Sequence, residues 1–200
     1  MPDTLMRPDA RSAPGPLPPL ASHRVHEAGG RGRRAFALFQ ALRHAGAVVW
    51  IVPDHIAERP LPAGLPEGLS ERLILLTPKG ADLLWSVEEA LRADAVDLVI
   101  AELQSALTLT EGRRLQLAAE AGQTTGLMLI GDGKGCPASE TRWNCEPAAS
   151  PSDSTLHHWS LIKNKKGTFG DWVIDWNGAS TAFDLVSATG ERRVPPTAPG

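Results

Sequence analysis

The 200-residue sequence lacks tyrosine, has only two cysteines and contains no apolar run that could span a membrane. A membrane-spanning helix needs about 20 consecutive apolar residues, and prolines stand where a signal peptide would have its apolar core. We therefore expect a cytoplasmic protein with no membrane partner. Cys136 and Cys145 are too few for a secreted disulfide scaffold. With His157 or His158 they could surround zinc, but the short paired spacing of structural zinc sites is missing, so no metal is predicted.

The sequence also has no excess of charge of either sign. Twenty Lys and Arg residues against 23 Asp and Glu residues give a net charge of −3, which provides no basis for nucleic-acid binding by bulk positive charge. Any basic site must therefore be local. The hydrophobic content of 42% and the chain length are typical of one soluble domain with a sizeable core.

Prolines divide the chain into two tails and one domain. Residues 1–22 contain six prolines, which remove backbone donors and disfavour helix, so we predict a disordered tail there. Three further prolines follow Val194, and residues 189–200 are predicted to be a flexible C-terminal tail. Residues 23–188 form the domain between them. Either tail could act as a docking peptide.

Four apolar runs predict parallel strands that are buried on both faces. They are residues 47–52, 72–76, 96–101 and 125–131. The segments between them have helical periodicity, and Thr108 with Glu111 fits a capping box at the start of one helix. The proline-rich residues 53–70 predict a long irregular connection instead of a helix.

Beyond residue 131 the pattern changes to short alternating segments that predict antiparallel strands. They are residues 141–145, 158–164, 172–176 and 182–187. The predicted fold class is therefore α/β, with a central, mainly parallel sheet flanked by helices and extended by C-terminal antiparallel strands.

Residues 26–38, HEAGGRGRRAFAL, resemble a phosphate-binding loop whose essential groups are replaced. A functional loop has the pattern G-x-x-x-x-G-K-[ST], in which glycines expose backbone N–H groups, Lys reaches the phosphates and a hydroxyl binds magnesium. Alignment on Gly32 puts Glu27 at the first glycine, Arg33 at the Lys and Arg34 at the hydroxyl residue. Glu27 would repel phosphate, and Arg34 cannot bind a cation. The pattern therefore predicts no competent ATPase.

Residues 95–107, AVDLVIAELQSAL, place a carboxylate at the end of a buried strand. Glu102 could hold magnesium through water, or it could pair with Arg33 or Arg34 and fill the nucleotide site without a ligand. We predict a vestigial nucleotide site with neither ATP nor magnesium as cofactor, and an ATPase with an arginine-based phosphate site is the alternative. The residues of this degenerate site are Glu27, Gly29, Gly30, Gly32, Arg33, Arg34 and Glu102.

Basic residues near both ends of the domain are candidates for contacts with a partner or DNA. They are Arg31, Arg33, Arg34, Lys163, Lys165 and Lys166. A single-strand DNA binder would combine them, together with His23 and Arg24, with a base-stacking Trp159 or Trp172. Trp50 and Trp85 are expected to belong to the core, and residues 163–166 also fit a solvated hairpin turn.

Residues 26–38, 95–107 and the segment WSLIKNK at 159–165 resemble the RecA-type recombinase core. With ADLLWSVEEALR, LTEGRRLQLAAE and the continuation KGTFGDWVIDW, they resemble the ImuA family. These are RecA- and SulA-like accessory proteins encoded beside an inactive Y-family polymerase homologue in bacterial DNA-damage mutagenesis cassettes. The resemblance covers residues 23–187.

This resemblance implies a RecA-like core and a non-catalytic role in SOS mutagenesis. Glu102 would take the place of an Asp that helps to hold magnesium, and Lys163 and Lys165 would match lysines that reach the nucleotide of a neighbouring subunit. The implied function is that of an adaptor in translesion DNA synthesis. The implied partners are RecA, an ImuB-like polymerase homologue and, indirectly, an error-prone replicative-type polymerase, with DNA contact possible and a nucleoid association within the complex.

Overall fold

The computed structural model describes residues 17–131, 135–150, 155–167, 169–176 and 184–189. These residues form one nine-stranded sheet with three helices. The strands are β1 (Val25–Gly29), β2 (Ala47–Ile51), β3 (Leu73–Leu76), β4 (Val96–Glu102), β5 (Thr125–Leu129), β6 (Thr141–Ala148), β7 (Leu156–Asn164), β8 (Gly170–Asp175) and β9 (Asp184–Thr189). The helices are α1 (Arg33–Leu42), α2 (Asp82–Arg92) and α3 (Leu109–Gly122).

The sheet has the strand order β3-β2-β4-β5-β1-β6-β7-β8-β9. Every pairing from β3 to β6 is parallel, and every pairing from β6 to β9 is antiparallel. The predicted α/β class, with its parallel sheet and C-terminal antiparallel strands, is therefore confirmed. Only a short 3-10 turn, Pro62–Gly64, interrupts the long connection after β2.

Helices cover the two faces of the sheet unequally. Helix α1 packs against one face, where Phe36 lies 5.0 Å from both Trp143 and Trp159 between ring centroids. Helices α2 and α3 cover the other face through residues such as Leu91 and Leu115. The antiparallel half therefore contributes its tryptophans to the core beneath α1.

The predicted capping box at α3 is confirmed. Thr108 Oγ1 accepts a hydrogen bond from the Glu111 N–H at 3.2 Å, and the Glu111 carboxylate accepts one from the Thr108 N–H at 2.7 Å. Two of the unpaired donors at the helix start are thereby satisfied.

The N-terminal boundary predicted at residue 22 is too late. Leu17 and Leu20 are 3% and 6% exposed and belong to the core beneath α1. These two leucines therefore anchor a segment whose prolines predicted a disordered tail. Residues 1–16 and 190–200 lie outside the described residues, and β9 extends to Thr189, one residue past the predicted domain end.

Two expectations about burial are also wrong. Trp50 is buried as expected, but Trp85 is 63% exposed on α2. Strand β3 was predicted to be covered on both faces, yet Ile74, Leu75 and Leu76 are exposed because β3 is the last strand of the sheet. An apolar run indicates a strand, but it does not say whether a neighbour covers it.

None of the helices in the described ranges is long and apolar enough to cross a bilayer.

His26 connects β1 to the N-terminal segment and to β6. Its Nε2 lies 2.9 Å from the Ala21 carbonyl, which can only accept, so Nε2 carries the proton. Nδ1 then accepts a hydrogen bond from the Thr141 hydroxyl at 2.6 Å, whose oxygen in turn accepts from Trp143 Nε1 at 3.1 Å. Burial lowers the pKa of His26 from 6.5 to about 4, against smaller opposing effects of the Ala21 carbonyl and Glu140.

As the pH falls below 6.5, the unfolded chain takes up a proton on His26, whereas the folded chain does so only near pH 4. Protonation therefore favours the unfolded chain between these two values. The contribution of neutral His26 to stability is complete above pH 6.5 and is lost as the pH falls towards 4. We expect the free energy of unfolding to fall by about 3 kcal/mol over this window. His26→Gln should flatten the decline, and His23→Gln at an exposed position should not. Denaturant titrations at several pH values measure the difference, and equal slopes for wild type and His26→Gln would contradict the assignment.

Candidate functional site

The predicted nucleotide site lies at the carboxyl edge of the parallel strands. The connection from β1 to α1 passes over this edge, and β4 ends beside it at Glu102. Together with the start of the long connection after β2, they enclose a cleft of about 380 Å³. Its polar wall includes Arg31, Arg33, Arg34 and Glu102. Ligands of open α/β sheets bind at this edge, and the structure brings four of the predicted site residues together there.

The glycines of the β1–α1 connection lie against the backbone of β6. Gly30 has a φ of +88°, and a Cβ there would lie 2.3 Å from the Cys145 carbonyl oxygen. Gly32 donates its N–H to the same oxygen at 2.8 Å. Only glycine combines this conformation with so close an approach. The glycine pattern that resembles a phosphate loop is therefore explained by packing against β6.

The backbone donors of this connection are already engaged within the chain. The Arg31 N–H points to the Glu146 carboxylate at 3.3 Å, and the Arg33 N–H points to the Gly30 carbonyl at 3.4 Å. Gly32 begins α1 without a side-chain cap. A phosphate would therefore have to displace the Glu146 carboxylate and the Cys145 carbonyl before it could reach the N–H groups of Arg31 and Gly32.

Arg34 and Glu102 form a forked ion pair across the cleft. Arg34 Nε donates to Glu102 Oε1 at 3.0 Å, and Nη2 donates to Oε2 at 2.7 Å. Trp50 Nε1 donates to Glu102 Oε1 at 3.2 Å from the buried side. The Glu102 side chain is only 10% exposed, so these donors hold a carboxylate that would otherwise be costly to bury. Of the two sequence interpretations, the pairing of Glu102 with Arg34 matches this geometry.

The other two arginines of the cleft are held more loosely. Arg31 Nε lies 3.0 Å from the Glu146 carboxylate, but its side chain is 82% exposed. Hydrogen bonding to Arg31 lowers the pKa of Glu146. Arg33 donates from Nη1 to the Gly30 carbonyl at 2.9 Å, and no carboxylate among the described residues pairs with it. Among the described residues, Arg33 is thus the arginine of the cleft whose charge no carboxylate neutralises.

Glu27 does not belong to the cleft, which corrects the sequence alignment. It lies inside β1, is fully buried, and accepts a hydrogen bond from Arg142 Nε at 2.9 Å. The Cys136 N–H donates to its other oxygen at 2.8 Å. Glu27 therefore joins β1 to β6 and to the segment before β6 instead of facing a phosphate.

Lys163 and Lys165 hold the segment that precedes β6 in their own chain. Lys163 Nζ donates to the carbonyls of Pro137 and Ser139 at 2.7 and 2.6 Å. Lys165 Nζ donates to the Ala138 carbonyl at 2.9 Å. Burial, followed by the neighbouring charge of Arg142, lowers the pKa of Lys163. Lys163 would have to break these hydrogen bonds before its side chain could extend into a neighbouring subunit.

Lys166 is exposed in the turn after β7, which is the position expected of a residue in a solvated hairpin turn. Its N–H donates to Asn164 Oδ1 at 2.9 Å.

The proposed basic cluster for DNA is not one surface. Arg24 pairs with Glu120 near the start of β1, at the opposite end of that strand from Arg31 and Arg34. Trp159 and Trp172, the proposed stacking residues, are 0% and 2% exposed. Neither can stack on a base without opening the core.

The cysteines and histidines are not brought together as a metal site. Within the described residues no group of His, Cys, Asp and Glu side chains could hold a metal ion. Cys136 and Cys145 are both buried free thiols. Burial raises the pKa of the Cys145 thiol, which keeps it protonated and unreactive.

Sequence reasoning missed Arg142, Glu146 and Trp50 as partners of the candidate residues. Each comes from a strand distant in sequence, so no spacing pattern connects it to the β1–α1 segment. One usable signal was present: a carboxylate within an apolar strand, such as Glu27, requires a cationic or N–H partner from a neighbouring strand.

No protein-family model matches this chain, and no curated protein matches it either.

Removal of Arg34 should leave Glu102 with Trp50 as its remaining side-chain donor. We expect Arg34→Ala to lower the free energy of unfolding by about 1 to 3 kcal/mol, because a nearly buried carboxylate loses its fork. Arg33→Ala, which loses one bond to a carbonyl, should change stability by less than about 0.5 kcal/mol. Chemical denaturation measures both, and equal effects for Arg33 and Arg34 would contradict the pairing. Adding Glu102→Gln to Arg34→Ala should recover part of the loss.

The Glu27–Arg142 pair should be far more sensitive. Arg142→Ala leaves a fully buried carboxylate without its cation, and we expect a loss of about 3 to 5 kcal/mol. The double variant Glu27→Gln/Arg142→Met removes both charges and should lose less than Arg142→Ala alone. Arg31→Ala breaks an exposed pair that solvent screens and should lower stability much less than Arg142→Ala does. Thermal unfolding of the three variants measures these losses of stability. Equal losses in Arg31→Ala and Arg142→Ala would contradict the ranking.

Proposed function

We propose that this chain is a non-catalytic, RecA-like accessory protein of the ImuA type, which acts as an adaptor in DNA-damage-induced translesion synthesis. The observation that carries the proposal is the ion pair of Arg34 with Glu102, which occupies the cleft where a nucleotide-dependent relative would bind ATP and magnesium. Arg34 and Glu102 thus neutralise each other's charge within the cleft.

The architecture supports the RecA-like part of the proposal. A parallel sheet that continues into antiparallel C-terminal strands is the arrangement that the resemblance implies, and this chain has such a sheet. The β1–α1 connection and the end of β4 meet at one edge, as the phosphate loop and the metal-binding strand would. Two of the three segments that carry the resemblance to the RecA core, residues 26–38 and 95–107, are therefore brought together in space.

The chemistry of the cleft supports a non-catalytic role. Magnesium needs carboxylate oxygens that are free to bind it, but both Glu102 oxygens accept hydrogen bonds from Arg34. The N–H groups of Arg31 and Gly32, two of those that would cradle a phosphate, are directed at β6. Such a core keeps its shape without a ligand, so its partners would meet the same surface whether or not ATP is present.

The adaptor role concerns RecA and an ImuB-like polymerase homologue, and through them an error-prone replicative-type polymerase. One alternative has support in the structure: Arg33 faces the cleft without a carboxylate partner among the described residues, so an unusual arginine-based nucleotide site is the second candidate.

Copurification of the chain with RecA and with the polymerase homologue tests the proposal. We expect association with at least one of them, and with equal yield in the presence and absence of magnesium-ATP. Failure to associate with either protein would remove the adaptor role.

A calorimetric titration with magnesium-ATP separates the two candidates. The adaptor proposal expects no binding by the wild-type chain. Binding in the micromolar range that is lost in Arg33→Ala would instead favour the nucleotide site, and Arg33→Ala suits this purpose because it leaves the Arg34–Glu102 pair in place.

A further inference from the structure

A polar pocket lies at the amino edge of the parallel strands, opposite the cleft. It has a volume of about 350 Å³ and is enclosed by the end of α1, the first residues of β4 and β5, and the segment before β1. Sites for small ligands occupy about 300 to 1,000 Å³. The pocket is therefore large enough for a small organic molecule.

Gln40 is the most deeply buried polar side chain that lines this pocket. It is 1% exposed, yet its Nε2 has no hydrogen-bond partner among the described residues. A buried donor that stays unpaired is costly, and such groups in native proteins usually face a ligand, an ion or water. An acceptor oxygen bound in the pocket would satisfy the Gln40 amide.

Arg43 places a cation beside this amide. It is the C-cap of α1, three residues after Gln40, so both side chains lie on the same side of the helix. Arg43 Nη1 and Nη2 donate to the carbonyls of Pro18 and Leu17, each at 3.3 Å. Neutral carbonyls do not cancel the charge, and a guanidinium has more N–H donors than these two bonds use. Arg43 can therefore still bind a carboxylate.

The acidic side chain of the pocket, Asp97, is already engaged by its neighbours. Gly46 donates its N–H to Asp97 Oδ2 at 3.0 Å, and His44 Nδ1 lies 3.3 Å from Oδ1. The negative end of the α1 dipole is also countered, because Arg72 donates to the Ala41 carbonyl at 2.9 Å. An anion next to Arg43 therefore meets less repulsion than the end of a helix would otherwise present.

We propose that this pocket binds a small aliphatic carboxylate, whose oxygens accept hydrogen bonds from the Arg43 guanidinium and the Gln40 amide. Thr125, which is 3% exposed and lines the same pocket, offers its hydroxyl as a third donor. Pro19 and Leu20 provide an apolar wall for the carbon chain. The bound ligand connects the segment before β1 to α1 and β5. This site does not depend on the proposed function.

Butyrate is the probe for the first test, which follows the side-chain amide signals of Gln40 by nuclear magnetic resonance. Their loss in Gln40→Leu assigns them. We expect a saturable shift with butyrate and a dissociation constant that rises at least ~10-fold in Arg43→Gln, because the charged hydrogen bonds are lost. Arg59→Gln is the matched control, since Arg59 also donates to two carbonyls but lies outside the pocket. No saturable shift, or equal affinity in Arg43→Gln, overturns the proposal.

Three further compounds test the chemistry of the ligand at matched ionic strength. Butyramide has the shape of butyrate without its charge and should bind at least ~10-fold more weakly. Inorganic phosphate carries more negative charge towards Asp97, and tighter binding of phosphate than of butyrate would overturn the carboxylate assignment. Tri-alanine presents a carboxylate at a peptide terminus. Its binding would support the site, and the tighter of tri-alanine and butyrate identifies a peptide or a free acid as the source.

Gln40→Leu separates ligand binding from stability. Leucine has a similar volume and no donor to leave unpaired, so the melting temperature of the variant without butyrate should equal or exceed that of the wild type. Butyrate should raise the melting temperature of the wild type and not that of the variant. A variant that butyrate stabilises as much as the wild type, or one that melts lower without butyrate, would contradict the role of Gln40.

Discussion

The buried ion pair between Glu27 and Arg142 holds the two halves of this protein together. It lies where β1 meets β6, the first strand of the antiparallel half. In the order of the sheet, β1 is the last strand of the parallel half before β6. The same carboxylate fixes the backbone at Cys136, and Lys163 secures the following carbonyls from β7. A charge fully removed from water stabilises the fold only when all its partners are in place, so this junction has one permitted arrangement.

The cleft at the carboxyl edge of the parallel strands also contains a carboxylate paired with an arginine. Glu102 and Arg34 lie nearer to solvent and satisfy each other in a place where many α/β proteins bind a ligand. A ligand that enters such a cleft must replace a fork of charged hydrogen bonds and leave no group unpaired. An edge whose charged groups pair with one another forms together with the rest of the fold.

Much of the fold could be predicted from the sequence because it depends on local patterns. Apolar runs located β2, β4 and β5, alternation located the C-terminal strands, and Thr108 with Glu111 located the start of α3. The pairings could not be predicted in the same way. Arg142 reaches Glu27 across 115 residues of chain, and Gly30 is required by a carbonyl of β6, so both depend on contacts that exist only after the sheet has formed.

Burial was predicted least well where a residue's surroundings are decided by its neighbours in the sheet. Trp85 has the same side chain as Trp159, yet one lies on the outside of α2 and the other beneath α1. Leu17 and Leu20 stand among prolines that predicted a tail, but their side chains fill the core. In the candidate site, the sequence named Arg33 or Arg34 as the partner of Glu102, and the structure pairs it with Arg34. Glu27 lies outside the cleft, paired with Arg142.

The distribution of tryptophans makes the protein a convenient optical reporter of its own structure. The chain has no tyrosine, so its near-ultraviolet emission comes almost entirely from six tryptophans. Five of them are at most 3% exposed, and Trp85 alone is open to solvent. A water-soluble quencher would therefore report on the surface of α2, while the unquenched emission would follow the core in which the two halves of the sheet meet.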